Sequence, residues 1–248
     1  MNALRVENLA KHYPRFTLDN VSFTLERGRI MGLIGKNGAG KTTALKSILN
    51  LVSPDAGTIE ILGQPFPTQE AACKQKLGVV LGGIDFYRNQ RLSSITETAR
   101  RFYENWDETA CRRYHTEFGL DPDKKVAELS SGMRVKYLIA LALSHHAELF
   151  LFDEPTSGLD PVSRDELLAL FRALVADGTR SILYSTHITS DLEKCASSIT
   201  YIKEGDVLAS AEKSQFLQSF QHLRTPEDTA PLTLEDIMIR TERREYHV

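Results

Sequence analysis

The sequence of 248 residues predicts an α/β protein with a mostly parallel sheet. Runs with the pattern of strands alternate with runs that have the pattern of helices over most of the chain. Two of the strand-like runs are apolar throughout, as strands buried on both faces are. A charged segment between Asp85 and Leu129 interrupts this alternation and contains no strand signal, which predicts an inserted helical lobe.

The first elements are short strands followed by a glycine-rich loop. Leu4–Leu9 and Val21–Leu25 alternate apolar with polar residues, as half-buried strands do. Ile30–Ile34 is apolar throughout and predicts a buried strand. It leads directly into the glycine loop, and Thr43–Leu51 then has the apolar spacing of a helix.

The remaining elements continue the same alternation on both sides of the helical lobe. Gly57–Leu62 and Leu77–Leu81 predict two strands before it. After it, the pattern predicts helices over 133–145, 161–177 and 190–195, and strands over 149–153, 181–185 and 199–203. From Glu212 onward, a polar helix and a proline-containing loop lead to a terminal helical stretch that the core does not obviously need.

The composition is that of an ordinary soluble globular protein. Hydrophobic residues make up 42%, charged residues 25%, and the formal net charge of −3 gives no sign of a nucleic-acid partner. The separated Cys73, Cys111 and Cys195 match neither zinc spacing nor a disulfide framework, which favours a reducing compartment. The N-terminus lacks a signal-peptide pattern, and no apolar window approaches the roughly 20 residues of a membrane span. We therefore expect a cytoplasmic protein with at most a peripheral membrane role.

The glycine loop matches a phosphate-binding motif at every fixed position. Gly35, Gly40, Lys41 and Thr42 satisfy G-x-x-x-x-G-K-[ST], with a strand before the loop and a helix after it. Backbone amides without intervening side chains can curl around a phosphate, and the positive end of the helix points at the same anion. We expect Lys41 to reach the β- and γ-phosphates, Thr42 to bind Mg²⁺, and Thr43 to lie near the α-phosphate.

A second site follows from the acidic pair at the end of a buried strand. Leu149–Phe152 delivers Asp153 and Glu154 to the carboxyl end of the sheet, where open α/β sheets bind ligands. Asp153 suits the Mg²⁺ shell, and Glu154 suits the general base that activates water. His187 follows another strand at the same edge, where its ring could contact the γ-phosphate and orient the water.

Taken together, these motifs resemble those of an ATP-binding cassette (ABC) ATPase over about Leu4 to Ala211. Gly35–Thr43 resembles the Walker A loop, Leu149–Glu154 resembles Walker B, and Ser157–Asp160 resembles the D-loop. His187 then corresponds to the switch histidine and Tyr13 to the aromatic residue that stacks on adenine.

The segment LSSGM, Leu129 to Met133, resembles the family signature LSGGQ at the start of a helix. The resemblance implies that Ser130 and Gly132 grip the γ-phosphate of ATP bound to a second subunit. The sequence departs from the family at Ser131 and Met133, and Gly82 stands where the family usually has a Mg²⁺-binding glutamine.

The resemblance implies a P-loop NTPase fold with a mostly parallel sheet, an N-terminal antiparallel β region and an inserted α-helical subdomain. The expected divisions are an ATP-binding core over 1–84 and 131–211, a helical subdomain over 85–130 and a C-terminal helical extension over 212–248. The expected cofactors are ATP and Mg²⁺. The expected site residues are Glu154, His187 and Lys41 for catalysis, Thr42 and Asp153 for the metal, and Tyr13, Gly35, Lys36, Asn37, Gly38, Ala39, Gly40, Lys41, Thr42, Thr43, Ser130 and Gly132 for the nucleotide.

The function that the resemblance implies is the ATP-hydrolysing subunit of an ABC transporter on the inner face of the cell membrane. Its expected partners are a second ATP-binding subunit, identical or different, and a separate permease, with no nucleic acid. The permease is expected to contact Phe86, Tyr87 and Arg88–Arg91. Length and the variant motifs favour the ABC-2-type exporters of drugs, peptides or lipid-linked cargo, while an importer, a non-transport ABC ATPase and a weakly hydrolysing regulatory module stay open.

Overall fold

The computed structural model describes residues 1–81 and 87–243. Its strands are β1 (Asn2–Tyr13), β2 (Phe16–Glu26), β3 (Ile30–Ile34), β4 (Ala56–Ile61), β5 (Gln64–Phe66), β6 (Leu77–Val80), β7 (Leu149–Asp153), β8 (Ser181–Thr186), β9 (Ser198–Lys203) and β10 (Asp206–Glu212). Its helices are α1 (Lys41–Ile48), α2 (Glu70–Lys74), α3 (Leu92–Ala99), α4 (Glu108–Glu117), α5 (Ser131–Ser144), α6 (Pro161–Val175), α7 (Thr189–Cys195), α8 (Lys213–Ser219) and α9 (Leu234–Glu242). Short 3₁₀ turns lie at Arg100–Phe102, Val126–Glu128 and Gln221–Leu223.

The main sheet contains six strands in the order β10-β9-β3-β8-β7-β6. The pairs from β9 to β6 are parallel, and β10 is an antiparallel edge strand. The apolar runs of β3 and β7 are fully buried because both faces of the sheet are covered. These two central strands have the bounds that the sequence predicts, and they end at the Walker A and Walker B motifs.

The N-terminal strands form a separate antiparallel sheet in the order β2-β1-β4-β5. This sheet and one face of the main sheet enclose a common apolar core that includes α1. The other face of the main sheet packs against α5, α6 and α7. The predicted fold class, with its antiparallel N-terminal region, is thus confirmed.

The helical lobe has a small core of its own. Leu92, Ile95, Leu120, Val126 and Leu129 form this core together with two residues of α5. Other residues of α5 pack on the main sheet, so this helix belongs to both cores. The described part of the lobe is helical as predicted, apart from a single antiparallel bridge between Arg91 and Lys125.

The structure differs from the sequence-based expectation in the lengths of β1 and β2, which extend beyond the predicted Leu4–Leu9 and Val21–Leu25, in three further elements and in the tail. The strands β5 and β10 and the helix α2 were not predicted from the sequence. The sequence shows no obvious need of the core for the tail, yet Leu232, Leu234 and Ile237 are buried in the main core. The last helix therefore packs on this chain's own body.

Candidate active site

The Walker A loop connects β3 to α1 through glycines that other residues could not replace. Gly35 has φ +152°, and a β-carbon there would lie 2.3 Å from the carbonyl oxygen of Ile202. Gly40 has φ +115°, and a β-carbon there would meet the side chains of Leu18 and Phe16 at 2.9 Å. The loop is therefore a cradle of bare backbone packed between β9 and the β1–β2 hairpin, as phosphate binding requires.

Lys41 lies across this cradle and is almost fully buried. Its Nζ donates hydrogen bonds to the carbonyl oxygens of Gly35 (2.7 Å) and Lys36 (3.1 Å) and lies 3.7 Å from Oε1 of Glu154. Burial lowers the pKa of Lys41, and the carboxylates of Glu154 and Asp153 oppose that shift. Within the loop, the ammonium group is thus held by two backbone carbonyl oxygens.

The acidic pair of Walker B points into the same region from the end of β7. Asp153 accepts one hydrogen bond from Thr42 Oγ1 at 2.9 Å and another from the hydroxyl of Ser185 on β8. A hydroxyl and a carboxylate in contact form the hard oxygen set that Mg²⁺ prefers, so Thr42 and Asp153 fit the metal. The sequence did not single out Ser185, although the parallel register pairs it directly with Asp153.

His187 and Glu154, two of the predicted catalytic residues, are in direct contact. His187 Nδ1 lies 2.8 Å from Oε2 of Glu154, and the histidine side chain is 42% exposed, open to solvent. The other carboxylate oxygen of Glu154 faces Lys41, so one carboxylate is held between the two basic groups. All three predicted catalytic residues therefore meet at the mouth of the Walker A loop.

A buried polar cluster joins the Walker B loop to the helix that follows His187. Thr156 Oγ1 donates to the Asp191 carboxylate at 2.8 Å, and Tyr184 Oη donates to the same oxygen at 3.0 Å. Asp191 is only 2% exposed, so these hydrogen bonds compensate for burying its charge. The cluster fixes the loop that carries Glu154 relative to the segment that carries His187, and sequence reasoning missed it because Asp191 follows no motif.

Tyr13 lies at the tip of the β1–β2 hairpin and is 40% exposed. Lys11 Nζ lies 5.8 Å from the centroid of its ring. Phe16, on the other side of the hairpin, reaches Gly40 in the Walker A loop. The hairpin therefore presents an exposed aromatic ring close to the start of α1.

The signature residues lie apart from this cluster. Ser130 caps α5 by accepting a hydrogen bond from the Met133 amide at 3.2 Å, and it is exposed. Gly132 is buried against Leu159 and Ser163, where the D-loop enters α6. Within the described residues, no hydrogen bond or ion pair links either residue to the Walker A loop. Gly82 and Phe86, two further residues of interest in the sequence, lie outside the described residues.

Comparison with known proteins identifies the family. The family profile described as "ABC transporter" matches residues 18–157. The chain belongs to the ABC transporter family. The "Nod factor export ATP-binding protein I" of Burkholderia lata is 33% identical over 221 residues, which cover 86% of this chain and 71% of that protein. The "ABC transporter ATP-binding protein NatA" of Bacillus subtilis is 34% identical over 195 residues, covering 76% of this chain and 79% of that protein.

Solved structures of ABC proteins agree with this assignment. The structure described as "ATP binding subunit of ABC transporter" superposes with a TM-score of 0.83 at 27% identity, covering 97% of this chain and all of the other. A nucleotide-free ATP-binding cassette gives a TM-score of 0.76 at 20% identity, covering 88% of this chain and 94% of the other, which supports the fold alone.

The chain is therefore an ABC transporter ATP-binding subunit and an ATPase that uses ATP with Mg²⁺. ATP-binding subunits of ABC transporters dimerise and act with membrane permeases. None of the helices in residues 1–81 and 87–243 combines the length and apolar character needed to cross a membrane.

Proposed function

We propose that this chain is the ATPase subunit of an exporter and that two subunits close around ATP to drive a separate permease. The similarity to the Nod factor export ATP-binding protein I supports the exporter branch. The proposed cargo, as expected from the sequence motifs, is a drug, a peptide or a lipid-linked molecule. The proposal places the protein on the inner face of the cell membrane through its permease.

The observation that carries the ATP-hydrolysis step of this proposal is the contact of Glu154 with both Lys41 and His187. In the proposed reaction, Glu154 accepts a proton from water as the water oxygen attacks the γ-phosphorus of ATP. The bond between the γ-phosphorus and the β–γ bridging oxygen breaks, and ADP and phosphate are released. His187 orients the carboxylate, and Lys41 neutralises charge on the phosphates. Mg²⁺, when bound to Thr42 and Asp153, supplies Lewis-acid stabilisation of that charge.

The remaining proposed nucleotide contacts come from the loop, the hairpin and a second subunit. Backbone amides between Gly35 and Thr43 bind the phosphates, and Tyr13 stacks on adenine. Ser130 and Gly132 contact the γ-phosphate in the partner's site, which the exposed position of Ser130, apart from this chain's own Walker A loop, supports. Each active site is thus divided between two chains.

The domain assignment is part of the proposal. The core over 1–84 and 131–211 binds ATP, and the lobe over 85–130 receives the permease. Residues 212–248 form a C-terminal helical extension, and its described part, up to residue 243, packs on the core. Five buried residues of the lobe share one small core, to which α5 adds Tyr137 and Ala140, and this core supports the role of the lobe as a unit. The proposed permease contact includes residues 87–91 at the entrance to the lobe.

Closure around ATP is tested by measuring molecular mass in solution. We expect Glu154→Gln, which holds ATP without turnover, to shift from monomer to dimer when Mg-ATP is added, as measured by size-exclusion chromatography with light scattering. Adding Ser130→Arg should abolish the shift because the bulky cation occupies the proposed phosphate contact. Adding Ser131→Ala at the exposed neighbouring position should leave it intact. An ATP-dependent dimer that forms equally well with Ser130→Arg would contradict the divided site.

A further inference from the structure

The last turn of α9 contacts the Walker A loop directly. Lys36, the second residue of that loop, donates from Nζ to the carbonyl oxygen of Glu242 at 3.0 Å. The same ammonium group lies 3.3 Å from Oε2 of Glu242. A residue 206 positions further along the chain is therefore bonded to the phosphate-binding loop through both its backbone and its side chain.

Glu242 is also held from the side of the sheet. The hydroxyl of Tyr201 on β9 donates to its Oε1 at 2.8 Å, and the Glu242 side chain is only 10% exposed. Tyr201 is fully buried and pairs in register with Ile34, the residue that precedes the loop. Burial and the neighbouring carboxylate raise the pKa of Tyr201, so it donates as a neutral phenol.

Two lysines satisfy the carbonyl end of α9. Lys36 bonds the carbonyl oxygen of Glu242, and Lys203 Nζ donates to the carbonyl oxygen of Thr241 at 3.0 Å. Cations at this position complement both the unpaired carbonyl groups and the negative end of the helix dipole. Of the two lysines, Lys36 belongs to the phosphate-binding motif, so the docked helix and the loop share one side chain.

The backbone of Lys36 is part of the internal structure of the loop. Its carbonyl oxygen accepts hydrogen bonds from the Ala39 amide at 3.1 Å and from Lys41 Nζ at 3.1 Å. Lys36, Asn37 and Gly38 are otherwise exposed. An anchor on the Lys36 side chain therefore restrains the exposed half of the loop and the turn against which the catalytic lysine lies.

We propose that Glu242 is a positioning residue that preorganises the Walker A loop for nucleotide through Lys36. This inference rests on the proposed nucleotide contacts of the loop. A loop already held in place loses less conformational entropy when it closes on phosphates, so the anchor increases nucleotide affinity. By thermodynamic linkage, a bound nucleotide stabilises the docked end of α9 by the same factor.

The test is the dissociation constant of Mg-ADP, measured by isothermal titration calorimetry. Glu242→Gln keeps an acceptor for Tyr201 and the backbone carbonyl bonded to Lys36, but it removes the carboxylate charge that lies 3.3 Å from the Lys36 ammonium group. We expect the dissociation constant to rise about three- to fivefold, the upper range expected for one partly exposed ion pair. The matched control is Glu235→Gln, the same change in the exposed first turn of α9, which should bind as the wild type does.

The route through Lys36 is tested in a Lys36→Met background. If Glu242 acts through Lys36, Glu242→Gln should cause no further loss of affinity once the lysine is absent. A merely structural role would lower the binding stoichiometry, through unfolded protein, rather than the dissociation constant. Equal losses in both backgrounds, or a dissociation constant for Glu242→Gln within twofold of the control, would overturn the inference.

The same titrations separate this inference from the proposed function. Lys41→Met should remove most of the affinity for Mg-ADP if the Walker A loop binds phosphates. Unchanged binding by Lys41→Met would refute the proposed site itself. Normal loss with Lys41→Met together with full affinity in Glu242→Gln would refute only the role of Glu242.

Discussion

Glu154 has a left-handed backbone conformation, with φ 51°. Such a conformation costs a residue other than glycine on the order of 1–3 kcal/mol and persists only where the surroundings enforce it. Here the Glu154 amide donates to the Ser185 carbonyl oxygen at 3.0 Å, and its own carbonyl oxygen accepts from the Ser157 amide at 3.1 Å. The backbone strain thus lies at the proposed general base and turns its carboxylate toward Lys41 and His187.

Sequence reasoning identifies the acidic pair but not this conformation. The apolar run of β7 predicts that Asp153 and Glu154 lie at the carboxyl end of a buried strand. The φ angle of Glu154 depends in part on the hydrogen bond to Ser185 on β8, a residue distant in the sequence, so no local pattern predicts it. The position of Ser185 is partly predictable from the sequence, because correct pairing of β7 with β8 would have placed it beside Asp153.

The hydrogen bond from Ser185 to Asp153 predicts a role in metal binding. Ser185→Ala removes a buried donor that orients the carboxylate, and outer-shell changes of this kind typically cost about 10-fold or more in metal affinity. We expect the Mg²⁺ concentration for half-maximal ATPase activity to rise about tenfold. Ser181→Ala, a buried change at the other end of β8, is the control and should leave the Mg²⁺ requirement unchanged. The same Mg²⁺ requirement in Ser185→Ala and wild type would refute this role.

Helix α5 shows why the boundary between two domains is harder to predict than the presence of a helix. Its Tyr137 and Ala140 belong to the lobe core, whereas Ile139 and Leu143 belong to the main core. A helix with two apolar faces is recognisable as a helix from its spacing, but its spacing does not say which body receives each face. The predicted boundary at residue 130 therefore separates α5 from the lobe, although α5 contributes residues to the core of that lobe.

His145 follows the last residue of α5 and contacts both the lobe and the segment that precedes β6. Its ring stacks on Tyr103 with centroids 3.6 Å apart, and Nδ1 lies 3.1 Å from the carbonyl oxygen of Gln75. Burial lowers the pKa of His145 from 6.5 to about 4. The folded protein therefore resists protonation of this ring more than the unfolded chain does.

This lowered pKa predicts a loss of stability in acid. Because the unfolded chain binds the proton first, the stabilisation is complete above pH 6.5 and is lost as the pH falls toward about 4. We expect this residue to account for about 3 kcal/mol of lost unfolding free energy over that window. Urea unfolding of His145→Asn should show a correspondingly shallower dependence on pH.

The control for this prediction is the neighbouring His146→Asn, whose ring is largely exposed. It should lose stability with acid as the wild type does. If His145→Asn follows the same pH dependence as the wild type and His146→Asn, the buried neutral ring is not a source of acid sensitivity.

At the scale of the whole molecule, the parallel sheet brings distant segments to one edge. β3, β7 and β8 end side by side, so Lys41, Glu154 and His187 meet although 146 positions separate the first from the last. This convergence follows from a general rule for open α/β sheets, and it could therefore be predicted from the order of strands and motifs. The shared edge explains why the catalytic cluster was predictable.

The tail could not be predicted in the same way. The nine residues of α9 have an apolar face, but a short amphipathic pattern does not say which surface it covers. In the structure, Leu234 and Ile237 enter the main core, and the far end of the helix reaches Lys36 in the Walker A loop. Two strands also escaped prediction because their sequence patterns are weak. The edge strand β10 alternates only between exposed and partly exposed residues, and β5 has three residues.

The most direct test of the catalytic cluster is the rate of phosphate release from Mg-ATP by wild type and Glu154→Gln, with ATP binding measured on the same preparations. Glu235→Gln serves as the control for loss of a carboxylate at an exposed site. We predict that Glu154→Gln binds ATP as well as the wild type but releases phosphate about 10²- to 10⁴-fold more slowly, the range that general-base catalysis contributes. Phosphate release at the wild-type rate from a Glu154→Gln protein that binds ATP normally would contradict the assignment of Glu154 as the catalytic base.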